Sequence, residues 1–150
     1  MRVFVALPLS DAQRLSAAQV RRQTEKPLSG CLRWEQPDKL HLTLSFLGEV
    51  DADRVATLCR RLTEVVAEHP RFSWHLAGLG VFGNRGRSRV LWAGAHEQAG
   101  HLLPMQQAIQ DAILELGLPA DNRPFKPHVT LARVVKPREA EPFWERFLSD

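Results

Sequence analysis

The phrase His-apolar-Thr-Leu is written twice in this chain of 150 residues, as His41-Leu42-Thr43-Leu44 and as His128-Val129-Thr130-Leu131. Successive side chains alternate across a β-strand, so a strand through the first copy puts His41 and Thr43 on one face and Leu42, Leu44 and Phe46 on the other. The same alternation sets His128 and Thr130 against Val129 and Leu131. Each strand is then anchored to a core by its apolar face and presents an imidazole and a hydroxyl from the other. Two such strands facing each other line a cleft with an acid, a base and two hydrogen-bond donors, a set that suffices to cleave a phosphodiester without a metal. A single His-x-Thr is a weak signal, because most histidines on strands are surface or satisfied core residues. Two copies in matching apolar registers point to a paired site.

Length and composition bound the rest. A chain of this size fits one domain large enough to bury a core, and 44% hydrophobic with 25% charged residues is the balance of a soluble globular protein. A formal net charge of +3 permits an anionic substrate without demanding one. Cys31 and Cys59 are too few and too irregularly placed for a disulfide framework or a zinc site, so reduced thiols in the cytoplasm are expected. The apolar start from Val3 to Leu9 is too short for a signal peptide, and no run approaches the length of a transmembrane span.

Periodicity gives the order strand-helix-strand-strand-helix, then strand-strand-helix-strand. Residues 2–8 read as a strand. Ser10-Asp11-Ala12-Gln13 is a capping-box start for a helix to about residue 25. Strands follow at 32–35 and 40–47, the second carrying the first motif. Asp51 opens a helix with an apolar stripe of Val55, Leu58, Leu62, Val65 and Val66, ended by His69-Pro70. Strands at about 71–79 and 88–95 are joined by Gly83-Asn84-Arg85-Gly86-Arg87, which is turn chemistry. Leu102, Met105, Ile109, Ala112, Ile113 and Leu116 mark a helix closed by Gly117 and Pro119. A strand over 127–135 carries the second motif.

With these residues in view, the chain resembles the two-histidine (2H) phosphoesterase superfamily, most closely its bacterial and archaeal RNA 2′,3′-cyclic phosphodiesterases, also called 2′-5′ RNA ligases. The resemblance rests on Leu40-His41-Leu42-Thr43-Leu44-Ser45-Phe46-Leu47-Gly48 and on Pro127-His128-Val129-Thr130-Leu131-Ala132-Arg133. Met1-Arg2-Val3-Phe4-Val5-Ala6-Leu7-Pro8 is similar to the family's opening strand, and Arg89-Val90-Leu91-Trp92 to its middle strand. It implies an α+β fold of two pseudo-symmetric lobes, each an antiparallel sheet covered by helices, with the active cleft between them and residues 1–150 forming one such domain. Family members commonly continue past the second motif with another helix and further strands. Here the last residues, Glu141 to Asp150, offer only a short amphipathic helix through Phe143, Trp144, Phe147 and Leu148, either as a minimal form or because part of the protein is absent.

The chemistry follows from the side chains. Histidine, with an unperturbed pKa of about 6.5, holds both protonation states near neutrality. One neutral imidazole takes a proton from water and one imidazolium returns a proton to a leaving alkoxide. Thr43 and Thr130 donate to the non-bridging oxygens. The resemblance implies hydrolysis of a ribose 2′,3′-cyclic phosphate to a 2′-phosphate, with reverse 2′-5′ ligation by microscopic reversibility. That outcome makes His41 the proton donor and His128 the proton acceptor. No metal or other cofactor is expected, and the partners are RNA ends or nucleotides bearing the cyclic phosphate, handled by a cytoplasmic monomer without an obligatory protein partner.

Five residues after each histidine stand Phe46 and Arg133. Simple alternation makes Phe46 a core residue and Arg133 an edge or salt-bridge residue. The resemblance places both at the border of the cleft as substrate contacts, which requires a local twist or bulge. Trp34 and Trp92 read as core, Lys126 as a phosphate neighbour or plain surface, and Arg85, Arg87 and Arg89 as a solvated hairpin tip. His69, His75, His96 and His101 lack metal-site spacing, and Gly78 to Gly83 lacks the helix a phosphate loop needs. Two rival functions use the same features: a phosphodiesterase for 2′-5′ oligonucleotides or small cyclic nucleotides, and a non-catalytic module that binds nucleotides or RNA ends.

Overall fold

The computed structural model describes residues 1–84 and 87–148, and its elements follow the expected order. They are β1 (Arg2–Pro8), α1 (Asp11–Glu25), β2 (Leu32–Trp34), β3 (His41–Glu49), α2 (Ala52–Ala67), β4 (His75–Asn84), β5 (Arg87–His96), α3 (Leu102–Glu115), β6 (His128–Val134) and α4 (Pro137–Phe147), with a 3₁₀ turn at Pro37–Lys39. The class is α+β with antiparallel pairing. β4 starts later than the composition of 71–74 implies and runs on through Phe82, because an irregularity between Leu76 and Leu79, with Gly78 at φ +77°, lets it stay paired to β5. α4 starts earlier than expected, with Pro137 at the first helical turn, where a missing N–H costs nothing. Arg85 and Gly86 of the expected turn lie outside the described residues.

Local chemistry explains the helix ends. The capping box is formed: the Gln13 N–H donates to Ser10 Oγ (3.2 Å) and the Ser10 N–H to Gln13 Oε1 (2.7 Å). α3 ends in a Schellman motif, with Gly117 at φ +72°, its N–H on Leu114 O and the Leu118 N–H on Ile113 O. Its start is held by Glu97, whose carboxylate accepts from the N–H groups of Gly100 (2.7 Å), His101 (2.6 Å) and Leu102 (3.0 Å).

The chain divides into two compact units. The first comprises Met1–Leu7, Thr43–Trp74 and Glu97–Pro127. Here the start of β1 meets the end of β3: the Met1 amino group pairs with Glu49 (2.8 Å) and the Val50 N–H donates to Met1 O. α3 buries Leu102, Met105, Ile109, Ala112 and Ile113 and packs on α2. Two side-chain bonds tie α3 to β3, from Gln106 Nε2 to Leu44 O (2.9 Å) and from Ser45 Oγ to Gln110 Oε1 (2.7 Å). They satisfy polar groups that would otherwise be buried at a cost of about 1–3 kcal/mol each.

The second unit comprises Pro8–Leu42, His75–His96 and the chain from His128 on. β6 lies at its centre, with β5 along one edge and β4 outside β5. Along the other edge β6 pairs first with Leu42 of β3 and then with β2. One face of these strands closes on a core of Leu28, Cys31, Leu91, Ala132, Ala140 and Trp144, against which Leu32, Trp34, Val81, Val134 and Phe143 pack. Leu91 is fully buried, worth about 1.5–3 kcal/mol. Trp144 pins α4 to β5 by donating from Nε1 to Ser88 Oγ (2.9 Å). The opposite face carries the motif side chains.

Candidate active site

From Val90 to Ala95 β5 alternates regularly, so this stretch serves as a ruler for β6. Leu91, Ala93 and Ala95 are buried on the core side, and Val90, Trp92 and Gly94 alternate with them. The register pairs Gly94 with His128, Trp92 with Thr130 and Val90 with Arg133. Directly opposed residues in an antiparallel pair project from the same face. His128, Thr130 and Arg133 therefore share the face away from the core. The step from Thr130 to Arg133 skips an extra residue: the pairing shifts between Leu91 and Trp92, so Leu131 has no partner on β5, and Leu131 and Ala132 are both buried. This is a β-bulge. It supplies the local distortion that a cleft position for Arg133 requires, and it overturns the simple alternation that set Arg133 on the core-side edge.

His41 joins the same face. Leu42 pairs with Val129, so His41 flanks Thr130 across the ladder. The 3₁₀ turn just before β3 aims the Lys39 carbonyl at His41 Nδ1, 2.7 Å away. A carbonyl only accepts, so Nδ1 carries a hydrogen and Nε2 is the nitrogen that exchanges a proton.

Three residues not picked out from sequence complete this face. Phe82 meets the His128 ring edge-on, with centroids 4.9 Å apart and planes at 86°. Trp92 lies 6.1 Å from His128 and 5.2 Å from Phe82, centroid to centroid. Trp92 is therefore not the core residue its strand implied. Val90, Trp92 and Gly94 alternate with equally apolar Leu91, Ala93 and Ala95, so hydropathy does not say which set faces the core. Gly80, opposite Trp92, leaves room for the indole: a Cβ there would sit 2.2 Å from Trp92 Cζ2. Arg33 pairs directly with Arg133, while its neighbours Leu32 and Trp34 face the core. Trp34 is thus on the core side as expected, with the Arg21 guanidinium 5.6 Å from its ring centroid.

In the other unit, Thr43 is half-buried on β3 between buried Leu42 and Leu44. Alternation slips here as well: Leu44 and Ser45 are both buried, Phe46 is 39% exposed and Leu47 is buried. Phe46 is accordingly not the core residue that simple alternation makes it. Ser45 takes the inward position because it bonds Gln110 on α3, and Phe46 turns outward beneath the Arg2 guanidinium, 5.5 Å from its ring centroid.

The weaker candidates separate from this face. Lys126 is exposed ahead of β6, and Arg87 and Arg89 are exposed on β5. His75 stacks on His96 at 5.8 Å between β4 and β5. Among the described residues no group of three or more His, Cys, Asp or Glu converges on a metal-sized space, and no helix is long and apolar enough to cross a membrane. Gly78 to Gly83 forms part of β4.

The LigT like Phosphoesterase family matches residues 7–92 and 94–148, and the chain belongs to that family. It is 35% identical over 138 residues to an RNA 2′,3′-cyclic phosphodiesterase of Archaeoglobus fulgidus, covering 91% of this chain and 74% of that protein. It is 36% identical over 130 residues to one of Geobacillus stearothermophilus, covering 87% of this chain but only 41% of that protein's length. Among solved structures, TT0787 of Thermus thermophilus superimposes with a TM-score of 0.79 at 28% identity, covering 89% of this chain and 74% of that one. E. coli LigT complexed with 3′-AMP gives a TM-score of 0.69 at 26% identity, covering 88% and 70%.

Proposed function

We propose that the protein hydrolyses the 2′,3′-cyclic phosphate of RNA ends or nucleotides to a 2′-phosphate, with His41 and His128 as the acid–base pair. The observation that carries this reading is the ladder of β3, β6 and β5, which holds His41, His128, Thr130 and Arg133 on one face behind a buried apolar layer. His128 takes a proton from water as the water oxygen bonds to phosphorus. The bond from phosphorus to O3′ breaks, and O3′ takes the proton from His41 Nε2, leaving a free 3′-hydroxyl and a 2′-phosphate. The Lys39 carbonyl holds Nδ1–H and leaves Nε2 as the nitrogen that meets substrate, and the donor role of His41 follows from the 2′-phosphate outcome. Thr43 and Thr130 donate to the non-bridging oxygens, a contribution worth on the order of 10²–10³ in rate for each donor. Arg133 is a substrate contact near the phosphate or nucleotide, and Phe46 offers its exposed ring to a nucleobase. The relatives' names and the 3′-AMP complex of E. coli LigT support the same substrate class.

The test is incubation of the protein with 2′,3′-cyclic AMP and with a short RNA ending in cyclic phosphate, resolving 2′- from 3′-phosphate products. Parent, His41→Ala and His128→Ala are run side by side. A 2′-phosphate product lost in both variants is the expected result. Absence of turnover in the parent would leave a module that binds RNA ends.

A further inference from the structure

Arg33 of β2 and Arg133 of β6 are directly paired, on the face that carries Thr130 and His128. Like charges directly opposite each other in a ladder repel, and among the described residues no ion pair offsets the cost. Both side chains are exposed, and among the described residues neither forms an ion pair; Glu35, the next carboxylate along the chain, reaches neither. Packing does not demand a guanidinium at either site, since the core side is filled by Leu32, Trp34, Ala132 and Val134. Two arginines paired across the ladder on one face, neither in an ion pair among the described residues, can form a fork for a singly charged phosphodiester.

Their position identifies which phosphate. Val90 and Trp92 set Arg133 two ladder steps, about 7 Å, beyond Thr130 along β6, and Arg33 lies a further strand spacing of about 5 Å to the side. The cyclic phosphate belongs between His41 and His128, beside Thr130. An anion at Arg33 is displaced from it by the length of one nucleotide step.

Building on the proposed hydrolysis, we infer that Arg33, with Arg133, forms a subsite for the internucleotide phosphodiester on the 5′ side of the terminal cyclic phosphate. Arg33 is then a specificity-determining residue that makes an RNA end a better substrate than a mononucleotide. It reads charge on the backbone and not the identity of the base.

The experiment compares two adenylyl dinucleotides ending in 2′,3′-cyclic phosphate, one with the natural linkage and one with an uncharged methylphosphonate linkage. Both carry the same bases and the same reacting group. The parent is expected to favour the charged linkage about tenfold in kcat/KM, the effect of one charge-assisted contact. In Arg33→Gln the two substrates converge, and Arg33→Lys restores part of the preference. Binding of the corresponding 2′-phosphate dinucleotides is titrated in parallel. A parent that fails to turn over either substrate, yet binds the charged linkage more tightly through Arg33, would retain the subsite and remove the hydrolase reading. A parent that does not distinguish the linkages in binding or turnover, or a preference that survives in Arg33→Gln, overturns the subsite.

Discussion

Thr130 and Arg133 project from one face of β6, although three residues apart in a regular strand would put them on opposite faces. Leu131 is the reason. It is the surplus residue of a bulge, buried together with Ala132, and beyond it the strand resumes with Arg133 facing the same way as Thr130 and His128. A hydrophobic core residue thereby determines the direction of a cation in the site.

Arg133 is exposed and makes no ion pair among the described residues, so its replacement has little to undo in the fold. Arg133→Ala is expected to leave the urea midpoint unchanged and to lower kcat/KM for cyclic phosphate by about 10–100-fold. Stability and activity falling together would make it a structural residue instead.

Gly80 is required by Trp92. A Cβ at this position would approach three indole atoms to 2.2–2.6 Å, and the ring is braced by Phe82 and cannot yield freely. Gly80→Ala is expected to cost about 1–3 kcal/mol in denaturant unfolding, as overpacking does. Because Phe82 and Trp92 both contact His128, activity should fall further than the loss of folded protein accounts for.

Ser88 is buried on the core side, where its Oγ accepts from the Trp144 indole. Ser88→Ala leaves a buried N–H without its acceptor and should destabilise by about 1–3 kcal/mol. Turnover per folded molecule should be unaltered, which thermal unfolding and kinetics on the same sample would establish.

Glu97 gives the chain an acid-sensitive helix start. Desolvation works against its ionisation, but the backbone donors of His101, Gly100 and Leu102 outweigh it and hold the carboxyl below its ordinary value of 4.5. The folded value is the lower one, so the stabilisation is fully present above the unfolded value and is lost as pH falls through the folded value. Glu97→Gln should therefore lower Tm at neutral pH, with the difference from the parent shrinking below about pH 4.5. A constant difference across that range would rule out the carboxylate as its source.

Much of the candidate site is legible in the amino acids alone. The doubled His-x-Thr-Leu phrase marks His41, Thr43, His128 and Thr130 because period-two alternation is a local property of a strand. The capping box at Ser10 and the closing glycine at Gly117 are equally local and appear where they were read. Alternation by itself puts Phe46 and Arg133 on the side opposite the histidines, and strand apolarity puts Trp92 in the core. Each lies where alternation either slips, at Ser45 and at Leu131, or is uninformative, as in the apolar stretch from Val90 to Ala95. Arg33 carried no local signal at all.

The elements, the family and the residue types that can move a proton follow from neighbours along the chain, and these were open to reading from the amino acids alone. Which side chains stand together was a matter for the folded molecule. A bulge is defined by a partner strand, an inward serine by the helix amide it bonds, and the Arg33–Arg133 pair by a register between strands a hundred residues apart in sequence. Those are relations between distant segments, settled when burial of the core side of each strand fixes its rotation and its register.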